Sequence, residues 1–235
     1  MTRTAPGPDR ATVSAVRTCP ERPDRREQIL LGCGIAAGPV FFTIFSIAGA
    51  LRPYYSPLRH PVSSLEFGPY GWIQSVNFLL TGVLVVLFGW GVRCTVRRLG
   101  GGWTVPVLLV VIGAGLIGAA VFVPDPLSGY PPGSPPTAPD PSLHRVLHDL
   151  FSTPVFTVLP AACIVMARRF AKAGVRPWAV YSGLSALIMV ALFVLTSIAF
   201  AQGTALTSIG GLLQRLTLAT GFAWITLVAA WSSRR

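Results

Sequence analysis

Six long apolar segments follow one another along this chain of 235 residues, separated by short polar or proline-rich stretches. They cover residues 29–51, 72–92, 105–123, 147–167, 178–200 and 209–231. Each is close to the ~20 residues that an α-helix needs to cross a bilayer. Because backbone polar groups inside a bilayer must be satisfied within their own segment, these segments should be helices. The pattern predicts an all-α, polytopic membrane protein: a bundle of six transmembrane helices.

The segment before the first apolar run has a different composition. Residues 1–28 are rich in arginine and proline, and we expect a disordered cytoplasmic tail there. Arg25 and Arg26 precede the apolar run as twin arginines do in an export signal. The run is too long for the apolar region of a signal peptide, so we interpret it as the first span. Residues 29–235 then form one six-helix transmembrane domain.

Composition and charge support a membrane location. The chain is 52% apolar and only 11% charged, whereas soluble domains carry about 25% charged residues. The net charge of +11 would fit nucleic-acid binding. However, fifteen of the 19 lysines and arginines lie in the tail, in the loops after the second and fourth spans, and at the C-terminus. The positive-inside rule then places both termini in the cytoplasm, with membrane lipids and not nucleic acid as partners.

The loop after the third span is the longest one on the opposite side. It has eight prolines in residues 124–141, a composition that excludes helix and central strand. The loop ends in Asp140-Pro141, which we interpret as the N-cap and first residue of the fourth helix. None of the four cysteines is placed for a disulfide on this external side.

Small and uncharged polar residues inside the spans are expected to pack helices together. "GAGLIGA" at residues 113–119 matches a dinucleotide-binding pattern, but its glycines lie in mid-span and not at a strand–turn–helix junction. We therefore expect helix packing and no nucleotide cofactor. Interhelical hydrogen bonds are the expected role of Asn77, Ser152, Thr153, Thr157, Thr196 and Gln214.

All three histidines lie at the extracytoplasmic ends of the predicted helices. His144 and His148 are four residues apart, so they face one side of their helix. With His60 as a third ligand, they could hold a divalent transition metal such as zinc. A site without metal, working by acid–base chemistry or by binding alone, fits the same residues.

Carboxylates complete this candidate site. Glu66, Asp125 or Asp149 could act as a further ligand or as a general base. The structural alternative is that Asp149 forms only a surface ion pair with Arg145, four residues before it. The candidate catalytic residues are His60, Asp125, His144, His148 and Asp149, and the candidate substrate-binding residues are Arg59, Glu66, Gln214 and Arg215.

Arg215 is the one charged residue inside the sixth span. Gly210 and Gly211 precede it by about one turn and leave room for close helix approach. We predict that Arg215 points into the bundle and pairs with Asp125, Asp149 or Glu66. Snorkelling to the outer surface is the alternative.

Four stretches carry a resemblance to a known family: "YYSPLRHPVSSLEFGPYGWIQSVNFLLTGVL", "GAAVFVPDP", "HRVLH" and "GLLQRL". Together they resemble the bacterial family known as domain of unknown function 998, over nearly the whole chain after residue 28. The family pattern falls on Pro57, Leu58, His60, Pro61, Ser63, Asp125, Pro126, His144, His148 and Arg215. Members often have "FPTDP" where this chain has "FVPDP". The resemblance implies a six-helix integral membrane protein of the bacterial inner membrane, and it implies no particular reaction.

The residues favour a small membrane enzyme that acts on a lipid or an amphipathic metabolite at the outer leaflet. Histidine or carboxylate would serve as acid and base in hydrolase, lyase or isomerase-like chemistry, and Arg215 would hold an anionic group. A small-molecule transporter or binding protein is the main alternative, and a non-catalytic accessory subunit is the third. A transporter should carry its charged site near the bilayer midplane, whereas these residues lie off-centre.

Overall fold

The computed structural model describes Cys19 and residues 22–235, and these consist of helices and loops. The α-helices are α1 Arg25–Ala50, α2 Trp72–Gly91, α3 Arg93–Arg98, α4 Thr104–Ala119, α5 Leu143–Lys172, α6 Arg176–Phe200 and α7 Gly210–Ser233. Two short 3-10 helices cover Val62–Glu66 and Ala205–Ile209. Leu127 forms isolated β-bridges, and no strand occurs in the described residues. The predicted all-α class is confirmed.

Five helical segments of the described chain are long and apolar enough to cross a membrane. They are Arg25–Ala50, Trp72–Arg98, Leu143–Lys172, Arg176–Phe200 and Ala205–Ser233. The remaining apolar helix, α4, has 16 residues and ends before the predicted boundary at residue 123. Large apolar side chains are exposed on the helix surfaces, including Leu187 at 66% and Val180 at 61%. Such a surface suits lipid and not water, as expected of a multi-pass membrane protein.

The first helix begins earlier than the apolar pattern predicts. Its N-cap is Asp24, whose side chain accepts a hydrogen bond from the Glu27 amide at 2.7 Å. Residues 25–28, which the composition assigns to the tail, are therefore helical. Residues 1–18, 20 and 21 of that predicted tail lie outside the described part of the chain.

The N-cap of α5 also differs from the prediction. Ser142, and not Asp140, occupies this position, and its Oγ accepts from the Arg145 amide at 3.1 Å. A serine hydroxyl satisfies a free first-turn N–H as well as an aspartate does. Because the hydroxyl also has a proton to donate, it can bond a second group outside the helix.

The six long helices form a closed ring. In order around the ring, α1 packs on α2, α2 on α4, α4 on α5, α5 on α6, α6 on α7, and α7 on α1. Phe41, Leu159, Met189, Phe222 and Trp224 are buried in its apolar core. The glycines of "GAGLIGA" contact α2 and α5 within this ring, as the helix-packing interpretation requires.

The loops at one end of the ring pack together, and we call residues 51–71, 120–142 and 201–209 the loop cap. The Leu212 amide at the start of α7 donates to the Leu58 carbonyl at 2.9 Å. The Gln202 Nε2 donates to the Ser128 Oγ at 3.1 Å, which joins two of the three loops. The cap therefore forms an ordered surface over this end of the ring.

The opposite end carries the basic residues between α2 and α4 and after α5, and we call it the basic end. Arg98 lies 3.8 Å from the Glu27 carboxylate, and Arg169 donates to the Gly100 carbonyl at 2.7 Å. A disulfide joins Cys19 to Cys94 there. The sequence did not predict this bond, which lies away from the loop cap.

Candidate functional site

A cavity of about 310 Å³ lies between the ring of helices and the loop cap. Apolar side chains form one part of its lining: Phe41, Phe78, Leu116, Val155 and Leu218. Polar and charged side chains form the other part: Ser63, Ser64, Asp125, Arg145, His148, Asp149, Ser152, Thr153, Thr196, Ser197 and Gln214. A cavity of this size with an apolar wall and a few converging polar groups is typical of small-molecule sites.

His148 is the buried histidine of this lining. It lies on the second turn of α5 and is only 4% exposed. Its Nδ1 is 2.6 Å from the Phe122 carbonyl oxygen. Because a carbonyl only accepts hydrogen bonds, Nδ1 carries a proton in this arrangement. The other nitrogen, Nε2, is then the proton acceptor of the neutral ring.

Glu66 lies next to the His148 ring. It ends the 3-10 helix Val62–Glu66, and its side chain is fully buried. One carboxyl oxygen accepts from the Ser75 Oγ at 2.9 Å. The other oxygen, Oε2, has no hydrogen-bond partner in the described residues and lies 3.7 Å from the His148 Nδ1.

We describe Glu66 and His148 as a neutral pair. A separation of 3.7 Å is too long for a hydrogen bond, and the Nδ1 proton of His148 is already donated to Phe122. Burial raises the pKa of Glu66 to about 8, and the hydrogen bond from Ser75 opposes this only partly. At neutral pH, Glu66 therefore holds its proton as a carboxylic acid.

Asp125 connects the loop cap to the start of α5. Its carboxylate accepts from the Ser142 amide at 2.8 Å and from the Ser142 hydroxyl at 2.6 Å. Although burial alone would raise the pKa of Asp125, these hydrogen bonds and the charges of Arg145 and His144 lower it below its ordinary value. Asp125 is therefore an ionised group at the cavity lining.

Arg145 and Asp149 form the ion pair that the sequence offered as a structural alternative. The Arg145 Nε lies 3.5 Å from the Asp149 Oδ2, and the Asp149 side chain is 62% exposed. An exposed pair of this kind contributes little to stability. Both residues nevertheless line the cavity, so they remain candidates for binding a polar group.

The three histidines do not converge. The His60 Nδ1 accepts from the Ser56 amide at 2.9 Å, and its ring packs on Tyr130 with centroids 5.0 Å apart. Burial, followed by the charges of Arg59 and Arg215, lowers the pKa of His60. His60 therefore acts as a neutral residue that holds the cap loop together.

His144 is exposed, and its ring meets the Phe122 ring edge-on, with centroids 5.9 Å apart. Thus the predicted metal ligands His60, His144 and His148 are not brought together. No group of three or more His, Cys, Asp or Glu residues in the described chain could hold a metal ion. Helical spacing alone could not reveal that His60 is used within its own loop.

Arg215 turns to the loop cap. Its Nη1 donates to the carbonyls of Pro57 at 2.6 Å, His60 at 3.0 Å and Gly211 at 2.9 Å. Its Nη2 donates to the Tyr55 hydroxyl. One guanidinium thus fixes the backbone of the loop over the first turns of α7.

The predicted ion pair of Arg215 with Asp125, Asp149 or Glu66 is wrong. No ion pair involves Arg215 in the described residues. The reason lies at Gly211, where the loop backbone approaches so closely that a side chain would clash with it. The space beside Gly211 is filled by the backbone of the cap loop and not by another helix. The guanidinium therefore binds the loop carbonyls of Pro57 and His60 and no carboxylate.

Of the candidate substrate-binding residues Gln214 and Arg59, only Gln214 lines the cavity. The Gln214 Oε1 accepts from the Val62 amide at 2.8 Å, and its side chain lines the cavity. Arg59 is exposed on the cap and does not belong to the cavity lining. The interhelical role expected for the amide residues is seen for Asn77, whose Nδ2 donates to the Phe41 carbonyl of α1 at 3.1 Å.

The cavity lining includes three hydroxyl residues that the sequence assigned to interhelical hydrogen bonds and not to the site. Ser152 and Thr153 donate to the Asp149 carbonyl, and Thr196 donates to the Leu192 carbonyl at 2.7 Å. These bonds stay within one helix, so the expected interhelical role is wrong for them. Since their hydroxyls need no partner on another helix, they can line a cavity.

The long apolar helices define the class of this protein, a multi-pass integral membrane protein. The chain belongs to the DUF998 family, described as "Protein of unknown function", whose family model matches residues 35–231. Neither a curated protein nor a solved structure matches this chain.

Proposed function

We propose that this protein is a six-span protein of the bacterial inner membrane that binds and chemically converts a lipid or another amphipathic small molecule in the cavity beside His148. The observation that carries the proposal is the cavity of about 310 Å³, which joins an apolar wall to a polar lining. An acyl or other apolar part of the ligand would lie against Phe41 and Phe78. Its polar part would face Asp125 and Arg145.

The chemistry we propose is proton transfer by His148. Its Nε2 would accept a proton from the substrate, while the hydrogen bond from Nδ1 to Phe122 fixes the ring orientation. Glu66 is a protonated carboxylic acid whose Oε2 lies 3.7 Å from the Nδ1 of the same ring. The reaction class that this pair favours is acid–base chemistry such as elimination, isomerisation or hydrolysis.

A transporter is the second candidate, and one observation favours it. Glu66 is a fully buried carboxyl group beside the cavity, and such groups carry protons in membrane transporters. A transporter and an enzyme would bind the same molecule in the same cavity. They differ in whether the molecule leaves the protein chemically changed.

The orientation we propose puts the loop cap outside the cell and both termini in the cytoplasm. It rests on the fifteen basic residues that the sequence assigns to one side. A reporter enzyme that is active only outside the cytoplasm should work when inserted at Gly133, in the exposed cap loop. It should fail when placed after Arg98 or Arg235, and the opposite pattern would reverse the orientation.

Filling the cavity should expel its ligand. Replacing Thr196, a buried residue of the lining, by phenylalanine places a large ring in the cavity. We expect molecules extracted from the purified wild type and identified by mass spectrometry to be depleted at least about tenfold in Thr196→Phe. Thr157→Phe is the matched control, because Thr157 also bonds within its own helix but is exposed outside the lining.

Equal recovery of the same molecules from both variants would show that the cavity is not their binding site.

A second measurement separates the two candidate functions. Purified protein is incubated with a bacterial total polar lipid extract, and the products are analysed by mass spectrometry. A product formed by the wild type and lost in His148→Gln supports the enzyme, whereas binding without any product supports the transporter.

A further inference from the structure

A second cavity, of about 500 Å³ and open to the surface, lies at the basic end, between the start of α4 and the end of α5. It is lined by Thr104, Val165, Arg168, Arg169, Ala171 and Lys172. This lining has three cationic side chains and no carboxylate. Both its position and its chemistry are separate from those of the cavity beside His148.

Two of these cations lie about one helical turn apart on α5, and no carboxylate belongs to the same lining. Arg168 and Lys172 are four residues apart on α5, a spacing at which like charges face each other and repel. Neither side chain makes a hydrogen bond or ion pair in the described residues. Arg169 differs, since it donates to the Gly100 carbonyl at 2.7 Å and holds the neighbouring loop.

The N-terminus of α4 adds positive character from a second direction. Thr104 is its first residue and belongs to the cavity lining. The N-cap, Trp103, makes no side-chain hydrogen bond to the first turn. Pro106 has no N–H, and the Val107 amide donates to the Trp103 carbonyl. The amides of Thr104 and Val105 and the positive end of the helix dipole are therefore left for an anion.

Stabilisation of the C-terminus of α5 explains only part of this arrangement. Arg169 and Lys172 lie in the last turn of α5 and complement its dipole. Arg168 lies before that turn, and the helix dipole accounts neither for its repulsion with Lys172 nor for the uncapped start of α4. An anion between the two helices accounts for both.

We propose that this second cavity binds the phosphate group of an anionic membrane lipid. Phosphate oxygens would accept from Arg168, Lys172 and the first turn of α4. The apolar side chains of Val165 and Ala171 line the same cavity and suit the start of an acyl chain. Trp103 is 47% exposed beside it, as expected of an aromatic residue at the membrane interface.

The test compares lipid binding by detergent-purified full-length protein, measured by native mass spectrometry with phosphatidylglycerol and with zwitterionic phosphatidylcholine as probes. The wild type should prefer phosphatidylglycerol. The Arg168→Gln/Lys172→Gln variant should bind it at least about tenfold more weakly, since each nearby cation contributes to headgroup attraction. Arg168→Lys/Lys172→Arg preserves the charge and should keep wild-type binding.

The control variant Arg234→Gln/Arg235→Gln removes two charges at the C-terminus, outside the cavity lining, and should retain wild-type binding. An equal loss in both glutamine variants would show diffuse attraction and overturn the proposal, as would unchanged binding in both. Inorganic phosphate is added as a competitor in a third arm. Its failure to displace the lipid supports the lipid assignment, whereas displacement at equimolar concentration would assign the site to free phosphate.

Discussion

Replacing Arg215 by leucine should destabilise the protein by roughly 3 kcal/mol or more. The guanidinium donates to the carbonyls of Pro57, His60 and Gly211 and to the Tyr55 hydroxyl. A hydrogen bond to a charged group contributes about 1.5–3 kcal/mol, and each buried acceptor left without a donor adds a penalty. Leucine removes every one of these bonds and supplies no donor.

The measurement is the free energy of unfolding in mixed detergent, or the melting temperature of the purified protein. Arg59→Leu is the matched control, because Arg59 is an exposed arginine of the same cap and its guanidinium makes no hydrogen bond in the described residues. Its effect should stay within about 0.5 kcal/mol, as is usual at the surface.

Arg215→Lys should recover only part of the loss. A lysine ammonium has three donors on one atom and lacks the planar fork with which arginine spans several acceptors. An Arg215→Leu protein that melts like the wild type would make the arginine a snorkelling residue. The bonds of the Leu212 amide to Leu58 and of the Val62 amide to Gln214 would then hold the cap to α7.

The fold was predictable because its signals are local. Apolar runs of bilayer length reveal helices without any knowledge of their neighbours, and the glycines of "GAGLIGA" read correctly as packing positions. Helix boundaries were less accurate, because caps such as Asp24 and Ser142 depend on which side chain reaches a free N–H. The end of α4 was also predicted too late. Residues 120–123 are apolar like the helix before them, but the helix ends at Ala119.

The site was only partly predictable because its contacts are long-range. The sequence placed Asp125 and His148 at the same end of the bundle, and both line the cavity. It could not show that the Ser56 amide binds the His60 ring, which removes that histidine from any metal set. Nor could it show that Glu66, separated from His148 by 82 positions in the chain numbering, would be buried within 3.7 Å of it.

The buried Glu66 should make the protein less stable as the pH rises. Its pKa in the folded protein, about 8, lies above the ordinary value of 4.5. Below pH 4.5 both the folded and the unfolded chain hold the proton, so the full stability is present. Between these two values the unfolded chain releases the proton while the folded chain keeps it, and the free energy of unfolding falls. The fall ends above the folded pKa and amounts to at most roughly 5 kcal/mol.

Glu66→Gln should abolish this fall, because glutamine keeps the shape of the neutral acid and does not ionise. Unfolding free energies measured from pH 5 to pH 9 should therefore decline for the wild type and stay nearly level for the variant. Asp125→Asn is the control with the opposite sign. The lowered pKa of Asp125 supplies stability that is lost as the pH falls, so this variant should leave the decline above pH 5 in place.

The groups that face Glu66 determine what could replace the neutral pair of Glu66 and His148. They are His148 on α5 and Ser75 on α2, while Arg52 nearby donates to the Leu65 and Phe67 carbonyls. Were His148 to take the proton of Glu66, the two would form a buried ion pair. Infrared spectroscopy at pH 7 distinguishes the cases, since a protonated buried carboxyl gives a carbonyl band that Glu66→Gln removes. A wild type without that band, most stable near neutral pH, would replace the neutral pair with an ion pair and make His148 the proton-holding group beside the cavity.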